Sequence, residues 1–145
     1  MSRHISPEIR QQVATRADFL CEYRLIAEED TFFGCEVEHI ISLKHGGSSD
    51  LENLAYACAF CNRHKGNDVG SILESGEFSR FYNPRTDKWA EHFQLDGVII
   101  RPLSAVGKVT TRILRLNHTN QILERQALSA VKRYPHPAAL TRIEG

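Results

Sequence analysis

At 145 residues, with 41% hydrophobic and 25% charged side chains, the chain suffices for one ordinary domain with a small annex, and it needs no disulfide staples to hold a core. No apolar run approaches membrane length and the N-terminal MSRHISPEIR is too polar for a secretion signal, so the expected address is the cytoplasm. A net charge of zero argues against a nucleic-acid partner, but the charge is split: residues 1–100 carry ten Lys/Arg against sixteen Asp/Glu (−6), and residues 101–145 carry eight against two (+6).

Ser6-Pro7-Glu8 reads as a helix start, with Ser6 as N-cap, proline at the first helical position and an acid in the first turn. Ile9, Val13, Ala17 and Leu20 recur at helical spacing, so this helix is expected to run to about Leu20. Cys21-Glu22-Tyr23-Arg24 follows at once. Residues 31–41 are rich in aromatic and β-branched side chains and predict a strand ending near His39. Alternation puts Cys35, Val37 and His39 on one face and Glu36 and Glu38 on the other. Gly46-Gly47-Ser48-Ser49-Asp50 is a loop by composition. Residues 54–57 predict the return strand, and residues 58–66 a cysteine knuckle opening into a helix with Asn62 in its first turn.

Residues 66–76 are weakly patterned, and Phe78, Phe81, Tyr82 and Pro84 predict an aromatic-anchored connection. A short helix is expected over 86–93, capped by Thr86, with Trp89 and Phe93 on one face. Residues 97–103 predict a strand that Pro102 ends. An amphipathic helix is expected over 104–116, with Val106, Val109, Ile113 and Leu116 as its apolar stripe and Lys108, Arg112 and Arg115 on another face. A last helix, capped by Asn120, is expected to reach Tyr134, with Leu123, Ala127, Val131 and Tyr134 as its apolar side and Arg125 and Lys132 outward. Pro135 and Pro137 end it, and the tail to Gly145 reads as loose.

The chemistry is concentrated in residues 36–66. Hydrolysis of a phosphodiester needs a base for the attacking water and a Lewis acid for the charge on the leaving oxygen. His39 has the side chain for the first task. Glu38 and Asn62 are hard oxygen ligands and suit Mg²⁺ or Mn²⁺ for the second. Asn53, in the turn between the strands, has an amide that would bond backbone near His39 or orient its ring. Each residue has a plainer reading alone: a core or surface histidine, a turn asparagine. The four together at these spacings favour a catalytic site.

The motifs E-H-I-I, K-H-G-G-S-S-D-L-E-N-L and C-x-x-C-N-R-x-K-G resemble the HNH endonuclease family, over roughly residues 10–70. The resemblance implies an α+β fold with a ββα-metal, treble-clef-like core, here preceded by an N-terminal helix and followed by a C-terminal helical extension. That divides the chain into a core over 1–75 and an aromatic and basic extension over 76–145. It implies metal-dependent hydrolysis of DNA, nicking one strand per domain, with His39 as general base, Glu38 and Asn62 as metal ligands and Asn53 as the central asparagine. Lys65 and Arg63 would contact phosphate, and Lys108, Arg112 and Arg115 would hold the flanking duplex. DNA is the expected partner, RNA is left open, no membrane is expected, and the chain would act as a monomer or homodimer.

Many members of that family hold a structural Zn²⁺ between two C-x-x-C pairs. Cys21, Cys58 and Cys61 fit that plan, but Arg24 stands where the fourth ligand is expected, and Cys35 or His64 would have to replace it. The asparagine after Cys61 and the lack of a βαβ pattern argue against a redox pair. His45 reads as solvated, and His4, His92, His118 and His136 carry no pattern. The alternative function is a nucleic-acid-binding module that keeps the fold without the activity, and a further one is an interaction protein whose knuckle is only structural.

Overall fold

The structure is a computed structural model that describes residues 5–145, so His4 lies outside the described residues. Helix α1 spans Pro7–Arg16, and the Ser6 hydroxyl accepts from the Ile9 N–H at 3.2 Å as its cap. It stops short of the expected Leu20 because Asp18 and Phe19 both take left-handed backbone, φ 56° and 57°. That reversal lets Leu20 bridge Ala27 in antiparallel fashion and closes a tight, buried loop over residues 20–27.

Four consecutive side chains of this loop are anchored to the rest of the chain. Cys21 joins the other knuckle sulfurs. Glu22 accepts from the Tyr56 N–H at 2.9 Å and pairs with Arg85. The Tyr23 hydroxyl donates to Glu38, and Arg24 reaches Cys58. The indole N–H of Trp89 donates to the Tyr23 carbonyl at 2.9 Å, which ties the aromatic connection to the same loop.

Strand β1 is Cys35–His39, shorter than expected. Residues 28–30 form a 3₁₀ turn, Gly34 takes φ 72°, and Phe32 and Phe33 stand exposed between them with their ring centroids 4.7 Å apart. Strand β2, Leu54–Cys58, pairs antiparallel with β1 and sets Glu38 opposite Ala55 and His39 opposite Leu54. Helix α2, Ala59–Lys65, follows and packs on the hairpin, completing a ββα unit.

Two further hairpins form, and of their four strands the sequence pattern marked one, the expected 97–103 strand, which appears as β6, Ile99–Pro102. Strands β3 (Gly70–Ile72) and β4 (Phe78–Arg80) pair with each other, as do β5 (Phe93–Asp96) and β6 (Ile99–Pro102). The expected 86–93 helix shrinks to α3, Trp89–His92, though Trp89 and Phe93 still stack at 5.1 Å. Helix α4 is Ala105–Ile113, with Val109 and Leu116 fully buried as its stripe demands. The mixture of helices with small antiparallel strands is an α+β fold.

Helix α5, Thr119–Ala130, inverts the expected faces, and its cap is His118 rather than Asn120. Leu123 is 55% exposed and Val131 64% exposed, while Arg125 is fully buried. Arg125 packs inward because the interior offers it acceptors: the Val98 carbonyl at 2.8 Å and Asn117 Oδ1 at 3.2 Å, with its guanidinium over the Tyr134 ring. The tail is not loose either. Helix α6, Leu140–Glu144, returns to the start of the chain, where Arg142 pairs with Asp18 at 2.9 Å. One continuous core therefore runs from Val13 through the hairpin to Trp89, Ile100, Leu116 and Ala139. Among the described residues no helix is long and apolar enough to cross a membrane.

Candidate active site

An open cleft of about 630 Å³ lies beside β1 and α2, and Glu36, Glu38, His39, Ser42, Lys44 and Asn62 are among the residues that line it. Helix α2 covers the face of β1 that carries the two acids. Its Asn62 sits over Glu36, amide nitrogen to Oε2 at 2.6 Å, and one turn on its Lys65 sits over Glu38, Nζ to Oε2 at 3.2 Å. The i, i+2 repeat of the strand thus meets the i, i+3 repeat of the helix.

Glu38 is the deeper of the two acids. It is 4% exposed, its oxygens are engaged by the Tyr23 hydroxyl and the Lys65 ammonium, and burial pushes its carboxyl above the usual range, with Lys65 opposing that rise. Lys65 cannot serve as the phosphate contact expected of it. Its ammonium is buried and also donates to the carbonyls of His39 at 3.1 Å and Ile40 at 2.9 Å, which pins the end of β1 to α2. Glu36, by contrast, is exposed and adjoins Asn62. Sequence reasoning passed over it, although strand alternation places it on the face of Glu38.

His39 ends β1 and is half-buried, with Nε2 3.0 Å from the Ser49 hydroxyl. That contact helps hold the orientation of the ring. Ser49 belongs to the Gly-rich loop, whose shape depends on Asn53. The Asn53 amide accepts from the Ile41 N–H at 2.9 Å and donates to the carbonyls of Ile41 at 2.8 Å and Ser48 at 2.7 Å. These are the backbone bonds near His39 that the sequence predicts for this amide, and they make Asn53 a positioning residue of the loop. Gly47 permits this closure: a Cβ there would stand 1.8 Å from the Ile41 carbonyl oxygen and 2.7 Å from the Asn53 amide.

The basic residues expected at nucleic acid do not form one surface. Arg63 is exposed on α2, and it and Arg115 both lie near His64, where burial first and then their charge hold the imidazole below its ordinary value. Lys108 and Arg112 line a different hollow beside Leu73, and Arg112 is tied to the Ile72 carbonyl at 2.6 Å. Of the eight cations of the tail, Arg133 pairs with Glu29 and Asp30 of the body, and Arg142 with Asp18.

Beneath the hairpin, Cys21, Cys58 and Cys61 bring their sulfurs within 4.8 Å of one another, close enough to share a metal ion. Sulfur hydrogen bonds from Cys21 and Cys61, helped by Arg24, hold the Cys58 thiol well below its ordinary value, whereas burial pushes Cys21 up to about 12. Cys35 and His64 stand outside this group among the described residues.

Residues 21–68 match the family model described as HNH endonuclease. Over that span the chain is similar to the HNH endonuclease family. The matched span is about a third of the chain and contains the whole ββα unit, the cleft and the three clustered cysteines, whereas α3 to α6 lie outside it. No curated protein and no solved structure matches the chain. An HNH domain implies a nuclease-type function.

Proposed function

We propose that this protein is a metal-dependent endonuclease that hydrolyses one strand of DNA per encounter at the β1–α2 cleft. The observation that carries the reading is the convergence of one histidine and three oxygen-bearing side chains, His39, Glu36, Glu38 and Asn62, on a single open cleft inside the HNH span. The donor set is all oxygen, which fits a hard divalent cation better than a thiophilic one. Asn62 now turns its nitrogen toward Glu36; a half-turn of the amide presents the oxygen in the same place.

Glu36, Glu38 and Asn62 would hold Mg²⁺ or Mn²⁺, and when bound such an ion supplies Lewis-acid stabilisation of the charge on the leaving 3′-oxygen. His39 takes the proton of the attacking water, with its ring steadied by Ser49 and, through the loop, by Asn53. Lys65 neutralises Glu38 and holds the carbonyl of His39, so that the base stays at the end of its strand. Arg63 and Arg115, gathered near His64, contact the phosphates of the duplex. One base and one ion serve one strand, so a double-strand break requires two copies or two visits.

One observation favours the non-catalytic module as a second reading: both oxygens of Glu38 already have partners. Cleavage of an end-labelled duplex oligonucleotide separates the two. The endonuclease reading expects Mg²⁺-dependent single-strand cuts that leave a 3′-hydroxyl. Salt-sensitive binding with no cut in either Mg²⁺ or Mn²⁺, by a folded chain, would support the binding module instead.

A further inference from the structure

A closed structural zinc takes four ligands, with each thiolate about 2.3 Å from the metal. The knuckle here supplies three sulfurs, from Cys21, Cys58 and Cys61. Where a fourth ligand would stand, Arg24 is buried, and its Nε donates to Cys58 Sγ at 3.1 Å. A guanidinium has five donors and no acceptor and keeps its charge, so it ligates nothing and repels a dication. The donor set does not fit a closed zinc site.

We propose that the buried Arg24 guanidinium holds the knuckle in place of a metal ion, joining the sulfur cluster to Glu124 of α5. A structural zinc cross-links chain segments around one centre of positive charge. Arg24 makes the same kind of joint. Its backbone belongs to the 20–27 loop, its Nε meets Cys58 at the start of α2, and its Nη1 meets Glu124 at 2.7 Å. Its guanidinium lies over the Phe60 ring, 5.8 Å from the centroid, and its carbonyl accepts from the Tyr134 hydroxyl at 2.8 Å. The counterion comes from α5, outside the HNH span, so the C-terminal helices complete a joint that a metal would close locally. The inference is independent of the nuclease reading.

The test uses the full chain, purified under reducing conditions, dialysed against EDTA and re-equilibrated with Zn²⁺ or Co²⁺, with metal content and melting midpoint as readouts. The wild-type chain should retain no zinc after desalting, show no tetrahedral thiolate–Co²⁺ bands, and melt at the same temperature with and without chelator. R24C completes the second C-x-x-C, so it should bind one equivalent of zinc and melt lower once chelated. E124Q should lower the midpoint of the wild-type chain and hardly move that of zinc-loaded R24C. One tightly held zinc per wild-type chain, with a midpoint that falls in EDTA, would overturn the proposal whether or not R24C folds. So would a folded R24C that binds no zinc, or an equal loss from E124Q in both backgrounds.

Discussion

Lys65 decides between two accounts of the site, and its replacement by methionine separates them. The ammonium is 1% exposed and has three partners: Glu38 at 3.2 Å and the carbonyls of His39 and Ile40 at 3.1 and 2.9 Å. Methionine fills similar volume but leaves the Glu38 carboxylate buried with only the Tyr23 hydroxyl. Removing one member of a buried ion pair costs about 3–5 kcal/mol, because the other charge is left uncompensated. For a chain of this size that corresponds to a fall of roughly 6–20 °C in melting midpoint. The paired change Glu38→Gln with Lys65→Met removes both charges and should recover most of the loss. Urea unfolding gives the stability, and titration of a short duplex at several salt concentrations gives the affinity. If Lys65 instead met phosphate, Lys65→Met would change stability by less than about 0.5 kcal/mol, and it would lower the salt slope of DNA binding by about 1. That pattern would refute the reasoning.

Other substitutions probe the loop and the C-terminal helices. Asn53→Ala removes three hydrogen bonds that close the Gly-rich loop and should cost about 2–3 kcal/mol, with faster amide exchange confined to residues 41–53. Gly47→Ala places a methyl on the Ile41 carbonyl and should destabilise by more than about 2 kcal/mol, measured by the urea midpoint. Leu123→Lys should change stability by less than about 0.5 kcal/mol, since Leu123 faces solvent. Arg125→Ala should cost about 2 kcal/mol, since it empties a buried site and leaves the Val98 carbonyl without that donor. The opposite ranking of the last two, in a thermal melt, would restore the amphipathic assignment of α5.

The ββα unit was legible because its signals are local. Period-2 alternation fixed β1, the Gly-rich run fixed the loop, and the cysteine knuckle fixed the start of α2. What the sequence could not show is where each side chain finds its partner. Glu38 and Lys65 lie far apart in the chain, and only the register of α2 over β1 reveals that they neutralise each other. Strand β6 was expected within 97–103, but β3, β4 and β5 are three or four residues long, too short for a periodic signal, and each is held by its hairpin partner. Helix α5 reads as amphipathic on the wrong face because hydropathy ranks arginine outside, whereas the Val98 carbonyl and Asn117 give Arg125 acceptors inside. The charge split between body and tail is real, and Arg133 and Arg142 use part of it to attach the tail to the body.

The most direct test of the central claim is nicking of supercoiled plasmid by the wild-type chain and His39→Ala side by side, in Mg²⁺, in Mn²⁺ and in EDTA. The account predicts open-circle product in metal and none in EDTA, and loss of nicking in His39→Ala while its fold and DNA affinity stay close to wild type. Nicking that persists in the mutant at the wild-type rate would contradict the role given to His39. A folded wild-type chain that binds the plasmid but never opens it in either metal would contradict the claim that the cleft is an endonuclease site.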